Sequence, residues 1–108
     1  MSKVEIGKKI PVFSAPTADG STWRSADAKG KKLVLYFYPK DMTSGCTLEA
    51  RDFRDLLPAF RRAATLVVGV SRDSCASHQK FAAKERLNFP LLADEDETLC
   101  RLFDVIRE

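Results

Sequence analysis

One histidine, one tryptophan and three cysteines are all that this 108-residue chain contains of those types. A lone histidine cannot build a histidine-rich metal cage, and no Cys/His cluster has the spacing of a zinc site. No glycine-rich phosphate loop follows an apolar strand-like run either. Neither a metal nor another cofactor is therefore expected. No segment approaches the ~20 apolar residues that a membrane-crossing helix needs. The opening MSKVEIGKKIPVF mixes charges with apolar residues, unlike a signal peptide. Three cysteines without a secretion signal do not suggest a disulfide framework, so a cytoplasmic protein, reduced at rest, is expected. Net charge is only +3, with basic doublets at Lys8-Lys9, Lys31-Lys32 and Arg61-Arg62. Such doublets read as solvated faces, and neither a nucleic acid nor a membrane is expected as partner.

What is present describes one small globular domain over residues 1–108, with 44% hydrophobic and 31% charged residues. Strand-like and helix-like segments alternate. Pro11 and Pro16 break up the first segment, and Asp19-Gly20 marks a turn between short strands near 12–14 and 22–24. The runs LVLYFY (33–38) and LVVGV (66–70) are apolar on both faces, the character of central strands in a parallel sheet. Between them Cys46, Ala50, Phe53, Leu57 and Phe60 share one helical face, and Pro58 should end or kink that helix. Ser71-Arg72-Asp73-Ser74 offers cap chemistry for a helix over 74–86, followed by a short strand near 89–92. A capping-box-like Asp94-Glu95-Asp96-Glu97 should open a last helix reaching about Phe103. Trp23, Phe13 and Phe37 read as packing. The alternation predicts an α/β fold with parallel strands, an N-terminal β-hairpin and chemistry at the carboxyl ends of the strands.

Cys46 follows the carboxyl end of the first core strand, in YFYPKDMTSGCTLEARDF. The thiolate is the reactive form of cysteine, and the first turn of a helix, with its unpaired N–H groups, favours an anion. With Thr43 or Ser44 as N-cap, Cys46 is the third or second helical residue. Gly45 permits close backbone approach, and Pro39 ends the strand. Cys46 also lies on the apolar helix face, and free cysteines are among the most buried residues. Nucleophile and core residue both fit the spacing.

The run YFYPKDMTSGCTLEARDFRD resembles the peroxiredoxins, thiol peroxidases with the signature P-x-x-x-T-x-x-C, filled here by Pro39, Thr43 and Cys46. LVVGVSRDS, SHQKFAAK, FPLLAD and LCRLFDVI follow in the order of the PrxQ, or bacterioferritin comigratory protein, subgroup. The resemblance implies a thioredoxin-like fold in its peroxiredoxin variant and a peroxidase acting on hydrogen peroxide and organic hydroperoxides. Cys46 would be the peroxidatic cysteine, and Thr43 would hydrogen-bond thiolate and peroxide. Pro39 would shield the thiolate, and the Gly45 and Cys46 amides would hold peroxide oxygens. Glu49 matches a glutamate that orients an arginine. A thioredoxin-type exchange reaction is disfavoured, because Thr43 stands where C-x-x-C needs its first thiol.

Two departures matter. The family's resolving cysteine is missing from both its usual positions, where this chain has Arg51 and Ala82. Cys75, two helical turns before Ala82, is the candidate resolving thiol, the alternative being resolution by an external thiol. Cys100 reads as a buried helix residue. The family also continues past FDVIRE with two strands and a closing helix that carry an arginine, which Arg51, Arg54 and Arg72 do not match. The fold is thus expected to be C-terminally incomplete, with weak or no peroxidase activity, as a monomer or weak homo-oligomer. Thioredoxin or another thiol would be the reductant. The alternative function is a non-catalytic thioredoxin-like interaction module. His78 reads as solvent-facing or structural.

Overall fold

A computed structural model describes residue 7 and residues 9–105; Lys8, the first half of one basic doublet, lies outside the described residues. A hairpin pairs β1 (Ser14–Pro16) antiparallel with β2 (Thr22–Arg24), Ala15 facing Trp23. Strand β1 starts two residues later than the sequence suggests, and Pro16 closes it rather than breaking it. The connecting turn explains the shift: Gly20 N–H donates to Thr17 O and Thr17 N–H to Ser21 O. Gly20 takes φ 85, a conformation that glycine adopts without steric cost. The Asp19 carboxylate accepts from Thr17 Oγ1, Ser21 Oγ and the Ser21 N–H. These bonds lower its pKa to about 2.

The main sheet holds β3 (Lys32–Phe37), β4 (Thr65–Ser71) and β5 (Leu91–Ala93), all parallel, in the order β3-β4-β5. Leu33 pairs with Leu66 and Phe37 with Val70; Gly69 pairs with Leu91 and Ser71 with Ala93. Helix α1 (Ser44–Arg62) connects β3 to β4, and α2 (Cys75–Glu85) connects β4 to β5. A short α3 (Thr98–Leu102) follows.

Two apolar layers cover the two faces, and alternation along each strand assigns side chains to them. Val67 and Leu91 join Ala50, Leu57, Phe81 and Phe89 beneath the two long helices. Val68, Val70 and Leu92 point the other way, to Phe13, Ala15 and Leu99 from the hairpin and α3, with Trp23 and Phe37 packed alongside. Phe81, Leu91, Leu92 and Val70 are almost wholly buried, each such side chain contributing about 1.5–3 kcal/mol.

Two expectations need correction. Strand β3 is not central: among the described residues it forms one edge of the sheet, and its apolar side chains are only half-buried. Being sandwiched between layers makes a strand apolar on both faces whether or not it is paired on both edges. Pro58 neither ends nor visibly divides α1, which runs on to Arg62. Pro58 cannot donate to the Arg54 carbonyl four residues back. That carbonyl instead accepts from Asn88 Nδ2 at 3.3 Å, a partner beyond α2.

Candidate active site

Tyr38 leaves the sheet while its N–H still bonds Val70 O, and exposed Pro39 follows. The chain then turns through Asp41 and Met42 into α1. Thr43 is the N-cap by backbone conformation, so Cys46 is the third helical residue. Thr47 N–H makes the first helical bond, to Thr43 O at 2.9 Å. The amides of Ser44, Gly45 and Cys46 consequently have no helical acceptor. The Thr43 side chain does not take them; its hydroxyl donates to Lys40 O at 3.2 Å. No acidic residue lies in the first turn of α1. Among the described residues, a set of donors is left open beside a cysteine.

Cys46 is half-buried and packs against the cluster beneath α1 and α2, so both sequence readings describe part of its surroundings. Tyr36 in that cluster stacks on Phe53 at 4.5 Å and on Tyr38 at 5.6 Å. Its ring crosses Gly69, where an added Cβ would come within 2.9 Å of Tyr36 and of Leu91. Among the described residues, the Tyr36 hydroxyl is buried without a hydrogen-bond partner. Burial first, then the charges of Glu49 and of an ionised Cys46, push the Tyr36 phenol above its ordinary value. Glu49 is exposed and lines a shallow hollow with Gly45, Leu48, Asp52, Phe53 and Leu56.

Cys75 opens α2 behind its N-cap Ser74, whose side chain accepts from Ser77 N–H at 3.1 Å. It is half-buried beside Pro16, Ala93, Glu95 and Asp96. Ala82 packs against the same cluster as Cys46. The topology thus brings Cys46 and Cys75 to one sheet edge, as successors of neighbouring parallel strands, but into different pockets of side chains. Cys100 is buried. Burial, then the hydrogen bond and charge of Asp94, push its thiol up to about 12. The three arginines considered for the site are held elsewhere. Arg51 pairs with Glu85 at 2.6 Å, Arg54 reaches Glu85 O and Asp55, and Arg72 meets Glu97 at 3.2 Å.

Within this fold, Pro39, Thr43 and Cys46 stand at the carboxyl end of a parallel strand, and a model of the AhpC/TSA family matches residues 6–108. The chain belongs to that family, as a peroxiredoxin of the PrxQ type. This peroxiredoxin is 58% identical over 79 residues to peroxiredoxin Bcp of Xanthomonas campestris, covering 73% of its own length and 49% of the relative's. Against peroxiredoxin Bcp of Bacillus subtilis the identity is 48% over 102 residues, covering 94% and 65%. A mutant of Xanthomonas campestris peroxiredoxin Q superimposes with a TM-score of 0.86 at 49% identity, covering 89% of this chain and 61% of that one. The peroxiredoxin described here therefore spans about half to two-thirds of the length of these relatives.

One group of residues escaped the sequence reading. Of the two readings of His78, solvent-facing or structural, the structure fits the second: the side chain is wholly buried. Its Nδ1 lies 2.8 Å from Asp41 Oδ2 and its Nε2 lies 2.8 Å from Leu92 O. Asp41, also buried, accepts in addition from Tyr38 Oη at 2.6 Å and Ser77 Oγ at 2.8 Å. Its own N–H donates to Asp73 Oδ2 at 2.8 Å, which also accepts from Ser71 Oγ. Ligand atoms of Asp41, Asp73 and His78 all lie within 4.8 Å of one another, the reach of a metal site. They are committed to these hydrogen bonds, which a cation would have to break. A signal existed: His78 stands three, four and seven residues before Phe81, Ala82 and Glu85, on the inward face of α2. The partner, 37 residues earlier, carried none.

Proposed function

We propose that this chain is a thiol-dependent peroxidase acting through Cys46. The observation that carries the proposal is the open start of α1: amides unclaimed among the described residues and a Thr43 side chain that does not cap them, beside the cysteine of a peroxiredoxin motif. The ionised Cys46 Sγ attacks the hydroxyl-bearing oxygen of a hydroperoxide. An S–O bond forms, the O–O bond breaks, and the leaving oxygen takes a proton to depart as water or an alcohol. Cys46 is left as a sulfenic acid. Thr43 Oγ1 and the Gly45 and Cys46 amides hold the peroxide oxygens, a fixed-donor arrangement that favours the charge developing on them. Pro39 walls the pocket, and Glu49 supports it.

Cys75 resolves the sulfenic acid as an intramolecular disulfide with loss of water, after the start of α2 unwinds. Thioredoxin or another thiol then reduces the disulfide. The three free cysteines fit a reducing cytoplasm, and among the described residues no helix is long and apolar enough to cross a membrane. With Arg51, Arg54 and Arg72 engaged elsewhere, none of these three supplies a cation at the thiolate, and the chain turns over weakly. The half-buried edge strand β3 and exposed Leu48 and Leu56 favour a second reading, an interaction module of thioredoxin-like shape.

Mass spectrometry after one equivalent of hydrogen peroxide tests the proposal, with a sulfenic-acid trap in one arm and non-reducing conditions in the other. Expected are rapid trapping at Cys46, loss of trapping in Cys46→Ser, and a Cys46–Cys75 crosslink. Oxidation of Cys46 no faster than that of free cysteine overturns the peroxidase and leaves the module. Absence of the crosslink removes Cys75 from the resolving role.

A further inference from the structure

Asp41 lies two residues after Pro39 and two before Thr43, so its backbone belongs to the turn that delivers both to the site. Met42, beside it, is exposed and takes φ 65, in the left-handed region that a side chain with a Cβ resists. Such a turn persists only where neighbours over-determine it. The neighbours here are the bonds to Asp41 from Tyr38, Ser77 and His78, and the bond from its N–H to Asp73.

His78 ties this turn to β5, as Asp73 ties it to Ser71 at the end of β4. Both its ring nitrogens face acceptors, the Asp41 carboxylate and the Leu92 carbonyl. Only a ring protonated at both nitrogens can donate to both. We infer that His78 is a positioning residue: held as an imidazolium between Asp41 and Leu92 O, it fixes the turn carrying Pro39 and Thr43 and so sets the approach to Cys46. The Tyr38 hydroxyl also faces the ring, 3.4 Å from Nδ1, and the charged groups near it, Asp41 and Asp73, support the positive charge. Burial alone lowers an imidazole pKa, but the hydrogen bond and charge of Asp41, the Leu92 carbonyl and the charge of Asp73 raise it overall. Asp41 moves the opposite way: burial raises its pKa, and donation from His78, Tyr38 and Ser77 lowers it further than burial lifts it. As pH rises through the raised His78 value, one ring proton leaves. Either Asp41 or the Leu92 carbonyl then loses its bond from His78, and the turn loosens.

The inference rests on Cys46 being the peroxide-reactive thiol, and the experiment separates the two. The chain has one histidine, so its ring nitrogens give unambiguous ¹⁵N signals in the intact protein. These are recorded from pH 5 to 9, while mass spectrometry follows Cys46 alkylation by iodoacetamide and Cys46 oxidation by hydrogen peroxide. Both ring nitrogens should be protonated at pH 7, and folded His78→Gln and Asp41→Asn should each slow both Cys46 reactions about tenfold. Glu85→Gln, at the other end of α2, should leave both rates unchanged. A Cys46 that ignores peroxide but is alkylated more slowly in His78→Gln overturns the peroxidase and keeps the positioning role. A neutral imidazole at pH 7, or equal Cys46 rates in the wild type and the folded variants, overturns the positioning role. Should neither variant fold, the wild-type profile decides. Alkylation corrected for thiolate fraction must fall as His78 titrates, and a rate indifferent to that titration sinks the inference.

Discussion

Cys46 and Cys100 occupy the same station, the third residue of a helix, with opposite surroundings. At α3 the Asp94 carboxylate reaches into the helix start and accepts from Leu99 N–H at 2.9 Å and Cys100 N–H at 2.8 Å. The donors are consumed and a negative charge faces the sulfur; burial first, then the hydrogen bond and charge of Asp94, push the thiol up to about 12. At α1 no carboxylate of the described residues enters and the N-cap side chain turns away, so among these residues the amides stay open. A helix N-terminus is therefore not a reactive site in itself. What matters is who takes its free N–H groups.

The sharpest way to break this contrast is to give α1 the cap that α3 has. Thr43→Asp should stabilise the helix by about 1 kcal/mol, yet slow Cys46 oxidation by about a hundredfold, since one fixed donor set is worth that much. Urea unfolding and peroxide-driven oxidation, read on one variant, check both signs. A variant that is both more stable and equally reactive would contradict the open-donor account.

The reverse change strips the carboxylate from α3. Asp94→Asn should bring the Cys100 thiol down from about 12, and the weaker acceptor should cost about 1–3 kcal/mol of stability. Thiolate absorbance during a pH titration and urea midpoints measure the two effects.

Next in size is Gly69→Ala. The added Cβ would sit 2.9 Å from the Tyr36 ring and from Leu91 Cδ2, in the packed layer behind Cys46. Overpacking of that kind costs about 1–3 kcal/mol, and the midpoint of thermal unfolding should fall accordingly. The Cys100 layer lies on the opposite face and should be unaffected.

A smaller effect should appear in the pH dependence of stability. The Asp41 pKa is lowered, so its contribution is present above its unfolded value and lost as pH falls through the still lower folded one. His78 is raised, so its contribution is full below about 6.5 and lost as pH rises through the folded value above that. Wild-type stability should be greatest between those limits, and His78→Gln should flatten the alkaline side. An unchanged alkaline limb in that variant would assign the loss to another group.

Much of this was legible in the sequence because it is local. Ser74 caps α2 as its position suggests, the Asp19-Gly20 turn forms, and the face Ala50, Phe53, Leu57 does pack inward. The P-x-x-x-T-x-x-C spacing marks a candidate site in the sequence because the thiol, its helix start and the preceding proline lie within eight residues. What local pattern could not show was which partners arrive from elsewhere. Pro58 reads as a helix breaker until Asn88 supplies the missing donor.

Composition and periodicity by themselves determined that this chain alternates strand and helix, buries two apolar layers and presents one cysteine at the opening of a helix. The periods of 2 and 3.6 are properties of the backbone and need no distant partner. Tertiary structure alone decided that, among the described residues, β3 lies at an edge, His78 is buried against Asp41, and Cys46 rather than Cys100 keeps its amides open. Those outcomes depend on hydrogen bonds and strand neighbours brought together from far along the chain. The sequence carries the donors and acceptors, but only the fold chooses their pairs.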